Sequence, residues 1–287
     1  MGVDCSMKHD FLQTRILSVF NLLKRVGFAV FLLGGVPFVS FAQPPDTMWT
    51  RLIESTGDPF KVTIVSDEGF IIASKDYGEN DATLTKVTSN GDIEWQRVYV
   101  VDNRSTVFDV EEVPSGGFIS VGRQFGFPHH FDFSTYCLYV DDNGDTNWTR
   151  EINMDTLNDE LRASIALNDG ILCVGMAGTI GAGNLEGDIL ILKMSYTGDT
   201  LWSRRYGTGF PDAANDIIQI AEGRFLVAGT AGDPDALGQY AINAFALMIN
   251  DSGDSLWMRT YGNNYFVSCY DIEQDGGSGF FLTGSTI

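Results

Sequence analysis

The five tryptophans of this chain all lie in the same short sequence context, and this repetition constrains the fold more than any other feature. Arginine follows each tryptophan two residues later, and a Gly-Asp pair precedes four of the five at a fixed offset. The intervals between tryptophans are 46, 53, 54 and 55 residues, which indicates units of similar length. The repeated pairs are Trp49 and Arg51, Trp95 and Arg97, Trp148 and Arg150, Trp202 and Arg204, and Trp257 and Arg259.

A second apolar segment recurs 23 residues after four of the tryptophans and 21 residues after the first. The segment around the tryptophan and this second segment each form one half of a pair of short apolar runs. The two runs of a pair are joined by a Gly-bearing turn, which is typical of a β-hairpin. We label the four predicted strands of a unit A, B, C and D, with the tryptophan on D. One four-stranded unit cannot bury its faces alone, so this period predicts a β-propeller whose blades stack on their neighbours. A content of 32 glycines also favours an all-β fold.

The predicted fold is therefore all-β, a β-propeller of four-stranded antiparallel blades within residues 43–287. Four complete blades are expected, then a partial fifth, and residues 46–54 are expected to form an orphan D strand without a blade of its own. We expect the propeller to be incomplete, the chain to be truncated within its fifth blade, and an unpaired apolar edge to be exposed. The expected bounds are about 58–100, 106–153, 161–207 and 214–262 for the complete blades and 267–287 for the partial blade.

Side chains alternate along a strand, so Trp202, Arg204 and Tyr206 are predicted to share one face of their D strand. A flat indole spans much of the roughly 10 Å between stacked sheets, which suits it as a spacer between blades. An acidic residue follows three of the tryptophans by 14 residues, and we expect it to pair with the arginine across the blade interface. Arg162 and Thr63 take that place in the other two units, so the pairing is not uniform. We expect all these residues to be structural. The acidic residues are Asp109, Asp216 and Asp271.

The pattern Gly-Asp-x-x-Trp-x-Arg-x-Tyr-Gly, followed by an acidic A strand and a Gly-Gly-Phe B strand, resembles the secreted bacterial β-propeller repeat proteins that often carry a C-terminal type IX secretion sorting domain. The resemblance covers residues 46–287 and is closest over 181–207. It implies a fold and an export route rather than a particular activity. The Gly-x-x-x-Trp turn is similar, more weakly, to the tryptophan-docking repeats of quinoprotein dehydrogenases. Those enzymes stack their quinone on a ring formed by two adjacent cysteines, and because this chain has no such pair, no quinone cofactor is expected.

Residues 1–42 differ from the repeats and are predicted to be a signal peptide. Lys24 and Arg25 precede an apolar run over residues 26–39, and the small residues Ser40 and Ala42 then stand where a signal peptidase cleaves. The run is shorter than the roughly 20 apolar residues of a membrane-spanning helix, so cleavage is favoured over a retained anchor. We therefore expect a secreted or cell-surface protein with no stable membrane span after cleavage.

The charge and the cysteines exclude several classes of function. A net charge of −20 repels a phosphate backbone, so nucleic acid is not expected as a partner. Cys137, Cys173 and Cys269 each stand alone inside an apolar run, where a thiol usually acts as a small buried hydrophobe. They form neither a disulfide framework nor a metal-binding pair.

The B-to-C and D-to-A loops vary from unit to unit and share one face of the predicted disc, so recognition is expected there. Their carboxylates and aromatic rings suit a sugar, a calcium ion or a peptide, although solvation and local packing remain open alternatives. None of the loops matches a full calcium-loop spacing, so calcium stays only a possible ligand. The candidate ligand-face residues are Asp76, Tyr77, Phe127, His129, His130, Glu186, Asp233, Asp235 and Tyr240.

Catalytic and metal-binding signals are weak. His129 and His130 are adjacent and point to opposite sides of an extended segment, so they are poorly placed to bind one ion. No other histidine follows residue 42, which leaves Ser-His-Asp or Cys-His catalysis without a visible site. We therefore expect an exported, non-enzymatic binding or scaffold module for an unknown protein or carbohydrate ligand. The alternative is a glycan-active enzyme, a hydrolase or lyase, that uses carboxylates at the mouth of the ring.

Overall fold

The structure, a computed structural model, describes residues 50, 53, 57–76, 81–101, 104–126, 133–152, 158–181, 184–234, 240–262, 267–277 and 279–286. Every secondary-structure element within this part of the chain is a β-strand, so the all-β prediction is confirmed. The same residues contain no helix of sufficient length and apolarity to cross a membrane.

The described strands form five antiparallel sheets, and in each of them the strands are ordered as in the chain. Sheet 1 contains β1 (Pro59–Ile64), β2 (Phe70–Lys75), β3 (Ala82–Val87) and β4 (Ile93–Tyr99). Sheet 2 contains β5 (Ser105–Glu112), β6 (Phe118–Phe125), β7 (Phe133–Val140) and β8 (Thr146–Ile152). Sheet 3 contains β9 (Glu160–Leu167), β10 (Gly170–Gly181), β11 (Asn184–Met194) and β12 (Thr200–Tyr206). Sheet 4 contains β13 (Ala213–Ala221), β14 (Arg224–Pro234), β15 (Tyr240–Asn250) and β16 (Ser255–Tyr261), and sheet 5 contains β17 (Val267–Gln274) and β18 (Phe280–Thr286).

In the tight turns between the third and fourth strands, the side chain of the first turn residue accepts hydrogen bonds from backbone N–H groups of the same turn. Asp141 accepts hydrogen bonds through Oδ1 from the backbone N–H groups of Asn143 and Asp145, both at 2.9 Å. Asn250 closes its turn in the same way. Such short polar side chains favour turns because they bond backbone groups two to four residues on. The turn glycines have φ between 78° and 86°, a conformation that glycine adopts without steric cost. They are Gly91, Gly144, Gly198 and Gly253.

The first strand of every sheet carries a β-bulge at the same place in its pairing with the second strand. One extra residue is inserted there, which twists the strand and redirects the side chain of that residue. The sequence gives no uniform signal for these bulges, because the inserted residues differ in chemistry. They are Phe60, Phe108, Arg162, Asn215 and Tyr270.

Consecutive sheets pack against each other through apolar clusters. In sheets 3 and 4, for example, Ile191 packs in one buried cluster with Phe225 and Phe245. The three cysteines are buried free thiols, as predicted. Burial raises the pKa of the Cys137 thiol to about 12, which leaves it protonated and unreactive near neutral pH.

The tryptophan of a fourth strand packs on the third-to-fourth-strand turn of the following sheet. Trp95 donates a hydrogen bond from Nε1 to the carbonyl oxygen of Asp142 at 2.9 Å, and Tyr99 donates from its hydroxyl to the carbonyl oxygen of Gly144 at 2.9 Å. The indole covers the turn so closely that a Cβ atom at Gly144 would lie 2.9 Å from the ring. We name this set of contacts the tryptophan latch.

The latch recurs at the next two interfaces. Trp148 donates from Nε1 to the carbonyl oxygen of Tyr196 at 3.0 Å. The Trp202 ring covers Gly253, where a Cβ atom would lie 2.5 Å from the indole, and the Tyr206 hydroxyl donates to the carbonyl oxygen of the same glycine. The copies of the repeat in sheets 2 and 3 therefore each supply a turn to the preceding sheet and an indole to the following one, which explains why both come together in the sequence.

The predicted pairing between the repeated arginines and aspartates is wrong within the described residues. The guanidinium groups of Arg150, Arg204 and Arg259 lie over the tryptophans of their own strands, 5.4 to 5.5 Å from the ring centroids. Each predicted pair would join the fourth strand of one sheet to the first strand of the next, and none of these pairs is among the ion pairs of the described residues. The first pair of the repeat, Trp49 and Arg51, lies outside the described residues.

The aspartates instead connect neighbouring first strands. Asp109 on β5 is only 1% exposed, and its Oδ2 accepts hydrogen bonds from the backbone N–H and the hydroxyl of Ser164 on β9, at 2.6 and 2.8 Å. Asp216 on β13 accepts a hydrogen bond from the backbone N–H of Ile272 on β17 at 2.9 Å. These bonds tie sheet 2 to sheet 3 and sheet 4 to sheet 5 at their first strands.

Candidate functional site

We define the loop-side face as the end of the sheets where first and third strands begin and second and fourth strands end. Asp76 lies here, and its carboxylate accepts a 2.7 Å hydrogen bond from the backbone N–H of Asp81, so it closes its own loop. Glu186, Asp233 and Tyr240 lie in strands, opposite Thr179, Ala241 and Pro234, because the second and third strands of sheets 3 and 4 extend into regions predicted as loops. The remaining candidates lie outside the described residues. They are Tyr77, Phe127, His129, His130 and Asp235.

The clearest constellation on this face surrounds Arg123, near the end of β6. Its guanidinium carbon lies 4.9 Å from the ring centroids of Phe125 and Phe133 and 5.4 Å from that of Phe108. Phe108 is the bulge residue of β5, so the bulge directs its ring towards this group. The bulge residue of the preceding sheet, Phe60, meets Phe108 edge to face, with centroids 5.1 Å apart. A cation and several aromatic rings therefore meet where sheets 1 and 2 adjoin sheet 3.

An ion-pair network continues the constellation into sheets 3 and 4. The carboxylate of Glu160, at the start of β9, is only 4% exposed and accepts from Arg123 Nη1 at 2.8 Å and from Arg162 at 2.5 Å. Arg162, the bulge residue of β9, also donates to the side-chain carbonyl of Asn215, the bulge residue of β13. Buried charges are tolerated only when they are paired, and this network meets that condition. We name Phe108, Arg123, Phe125, Phe133 and Glu160 the Arg123 cluster.

Two polar groups have no hydrogen-bond partner, one within this cluster and one just before Glu160 in the chain. Asn158 lies two residues before Glu160, is 2% exposed, and leaves both its amide nitrogen and its amide oxygen unpaired. The Nε atom of Arg123 is also buried without a partner. Asn158 has φ of 70°, a left-handed conformation that costs free energy in most residues but less in asparagine. Buried polar groups without partners are rare in proteins, so each of these two groups indicates a place where a polar ligand or water would bind.

A second group of charges lies on the first strands. We name Asp109, Glu111, Asp216, Asp271 and Glu273 the carboxylate row, because their electrostatic influence on one another places them close together. Lys61 on β1 lies 3.6 Å from Asp109 Oδ1. Its positive charge opposes, without cancelling, the rise in the pKa values of Glu111, Asp216 and Glu273. Burial, followed by the charge of Asp109, raises the pKa of Glu111 to about 8. Burial and the neighbouring Asp271 raise the pKa of Asp216 as well.

The raised pKa of Glu111 makes stability fall as pH rises. An acid whose pKa is raised by folding holds its proton more tightly in the folded state, so the free energy of unfolding decreases from the ordinary pKa of 4.5 up to about pH 8. Glu111→Gln is therefore expected to flatten the fall in melting temperature between pH 5 and pH 8, measured by circular dichroism. The matched control is Glu222→Gln at the exposed turn between β13 and β14. An equal slope in wild type and Glu111→Gln would contradict this assignment.

Comparisons with known proteins add no assignment. No protein-family model matches the chain, and no curated protein matches it. Within the part of the chain that the structure describes, no group of three or more His, Cys, Asp or Glu side chains is arranged to hold a metal ion. Function must therefore be inferred from the geometry of the site.

The sequence did not single out most of this site. Arg123 and Glu160 lie in strands, 37 positions apart, and their contact depends on how sheets 2 and 3 pack. Asn158 carries no motif. One feature of the sequence could have indicated the site. The residue before Asp109, Asp216 and Asp271 changes between Phe, Asn and Tyr in an otherwise regular repeat. Variation at a fixed position of a scaffold is where recognition is commonly built.

Proposed function

We propose that this chain forms an exported β-propeller module that binds a carbohydrate through its loop-side face. The propeller is supported by the regular stacking of similar sheets and by the contacts between first strands of neighbouring sheets. A further support is that the charge of Lys61 in sheet 1 influences Asp216 in sheet 4 and Glu273 in sheet 5, as expected if the first strands surround a common axis. The predicted signal peptide supports secretion or cell-surface display.

The observation that carries the ligand class is that Arg123, beside the aromatic rings, and Asn158, two residues before Glu160, both have polar atoms without partners. Asn158 offers an amide donor and an amide acceptor, and Arg123 offers a further N–H donor. Sugar hydroxyl groups both donate and accept hydrogen bonds, so they suit such a mixed set of partners. The Phe125 and Phe133 rings are only partly buried and provide apolar surface for the C–H face of a sugar. Ligand sites commonly combine apolar surface with a few placed polar groups.

Asn158→Gly is expected to weaken binding of a neutral oligosaccharide about tenfold, because one or two hydrogen bonds to the amide are lost. Glycine adopts φ of 70° without strain, so the substitution removes the side chain while leaving the backbone unchanged. Affinity would be measured by calorimetry with the best ligand from a panel of neutral glycans.

Glu68→Gly is the matched control, because Glu68 also has positive φ, at 67°, but lies in the exposed turn between β1 and β2 at the opposite end of sheet 1. Its affinity should equal that of wild type. The proposal would be overturned if no glycan of the panel bound, or if Asn158→Gly bound the ligand as tightly as wild type.

The carboxylate row favours a second candidate, a glycan-active hydrolase or lyase. A carboxylic acid with a pKa of about 8, such as Glu111, remains protonated near neutral pH and can act as a general acid beside the carboxylate of Asp109. Release of reducing ends from any polysaccharide by the wild-type protein, and its loss in Glu111→Gln, would favour this candidate over a binding-only module.

A further inference from the structure

The first strands of sheets 1 to 4 each place one side chain on a β-bulge, at the same point of their pairing with the second strand. A bulge redirects the side chain of its extra residue, and bulges are frequent next to active sites. These side chains are therefore positioned alike but differ in the ligand groups that they can contact. We name them the bulge row: Phe60, Phe108, Arg162 and Asn215.

The second strand makes room for these bulges. In sheets 2, 3 and 4 the residue opposite the start of the bulge is Gly122, Gly175 and Gly229, respectively. A Cβ atom at any of these glycines would collide with a backbone carbonyl oxygen of the first strand. Each glycine ends the second recurring apolar segment of its unit. The repeat thus keeps the bulge while the residue on the bulge varies, which is a common way to build recognition on a fixed scaffold.

The first half of the bulge row is aromatic. Phe60 and Phe108 meet with their ring centroids 5.1 Å apart, and both residues are only partly buried. Val107 and Asp109, on either side of Phe108, are 0% and 1% exposed, so the bulge turns only the phenylalanine towards the surface. Phe108 also contacts Arg123, and this half of the row therefore continues directly into the Arg123 cluster.

The second half of the bulge row is polar. Arg162 donates to the Glu160 carboxylate, which Arg123 also binds, and to the side-chain carbonyl of Asn215. The Arg162 side chain is 30% exposed and has more N–H donors than these contacts use. Aromatic surface and hydrogen-bonding groups therefore follow one another along a continuous line of contacts that crosses sheets 1 to 4.

We propose that the bulge row and the Arg123 cluster together form one binding strip for a linear oligosaccharide. This inference rests on the proposed function and adds that the ligand is a chain of sugars rather than a single sugar. Successive units pack on Phe60 and Phe108 at one end and form hydrogen bonds with Arg162 and Asn215 at the other. The distance between the two phenylalanine rings is already comparable to the length of one sugar ring, so the whole row is longer than one sugar can cover.

The length of the ligand is the first test. The probe is the neutral glycan that binds best in the panel, prepared as a series from two to six sugar units and titrated into the full chain by calorimetry. Affinity should rise at least about tenfold between two units and six, because the added units reach side chains beyond the Arg123 cluster.

Variants at the two ends of the row separate binding from packing. Phe60→Leu removes the ring but keeps an apolar side chain of similar size, so the variant is expected to fold. It should weaken binding of the six-unit ligand about fivefold and leave binding of the two-unit ligand unchanged. Asn215→Ala should have the same effect at the polar end. Val62→Ala is the matched control, because Val62 lies on the same strand as Phe60 and is 51% exposed but is not on the bulge.

Hydrogen exchange gives a second measure of the course of the ligand. The six-unit ligand should slow amide exchange near the bulges of β1, β5, β9 and β13, whereas the two-unit ligand should slow it only around the Arg123 cluster.

The outcomes distinguish this inference from the proposed function. If no glycan of the panel binds, both are overturned. If a glycan binds with equal affinity at two and six units, the site is confined to the Arg123 cluster, and only the oligosaccharide strip is overturned. An equal effect of Phe60→Leu on both ligands would also overturn the strip, since the ring would then act through packing alone.

Discussion

Gly253→Ala is expected to lower the free energy of unfolding by about 3–4 kcal/mol. Two costs add at this position. The glycine has φ of 78°, which disfavours any residue with a Cβ atom, and that atom would lie 2.5 Å from the Trp202 ring. The ring is held between two sheets and cannot move aside without opening the latch. Chemical denaturation would give the free energy, and the loss should be similar for the equivalent Gly144→Ala.

Gly209→Ala separates the two costs. Gly209 has φ of 82° but no atom within 4 Å of the position of an added Cβ, so it carries the backbone cost alone, about 1 kcal/mol. Native-state hydrogen exchange should further show that Gly253→Ala loosens sheets 3 and 4 more than sheets 1 and 2, since the latch acts between neighbours. Equal losses for Gly253→Ala and Gly209→Ala would show that contact with the indole contributes nothing.

Asp109→Ala is expected to lower the free energy of unfolding by about 2–3 kcal/mol. The substitution removes the acceptor for the backbone N–H and the hydroxyl of Ser164, and leaves both buried donors unsatisfied. It also removes a negative charge next to Glu111, which offsets part of the loss. Thermal and urea denaturation at pH 7 would measure the change. A double-mutant cycle of Asp109→Ala with Ser164→Ala would give the part of the loss that comes from the contact between these two side chains.

Asp271→Ala is the matched control, because Asp271 holds the same place in the repeat but lies on the last described first strand. Its side chain contacts the carboxyl group of Asp216 rather than a backbone group of a following sheet. Its removal lowers the pKa of Asp216 towards the ordinary range, so stability should change by less than about 1 kcal/mol. If Asp109→Ala were no more destabilising than Asp271→Ala, the bond between first strands would not be a source of stability.

Neighbouring sheets are joined at both edges, by the tryptophan latch at the fourth strand and by the aspartate hydrogen bonds at the first strand. The latch joins the fourth strand of one sheet to the last turn of the next, as between Trp95 and Gly144. The aspartate bonds join the first strands, as between Asp109 and Ser164. Apolar clusters fill the space between the two. The loop-side face can therefore vary in sequence without loss of the fold, which is the property that a binding scaffold requires.

Strand identity, the all-β class and the antiparallel four-stranded sheets followed from local features of the repeat. Alternating apolar runs, and turns that begin with Asp or Asn and contain glycine, favour hairpins wherever they stand, because the hydrogen bonds that close them are only two to four residues long. Burial of the cysteines could be predicted for the same reason, since each lies within an apolar run. The recurrence of Trp95 and its counterparts likewise indicated a packing role, although not the atoms involved.

The contacts of the arginines, the aspartates and the candidate ligand site were decided only by tertiary structure. Arg204 and Asp216 look like ion-pair partners in sequence, but Arg204 lies over the indole of Trp202, whereas Asp216 accepts a hydrogen bond from the backbone of Ile272. The meeting of Arg123 and Glu160 depends on how two sheets pack, which a single sequence does not encode locally. Short-range hydrogen bonds thus determine where the strands and turns lie, whereas packing between sheets determines which side chains meet at the loop-side face.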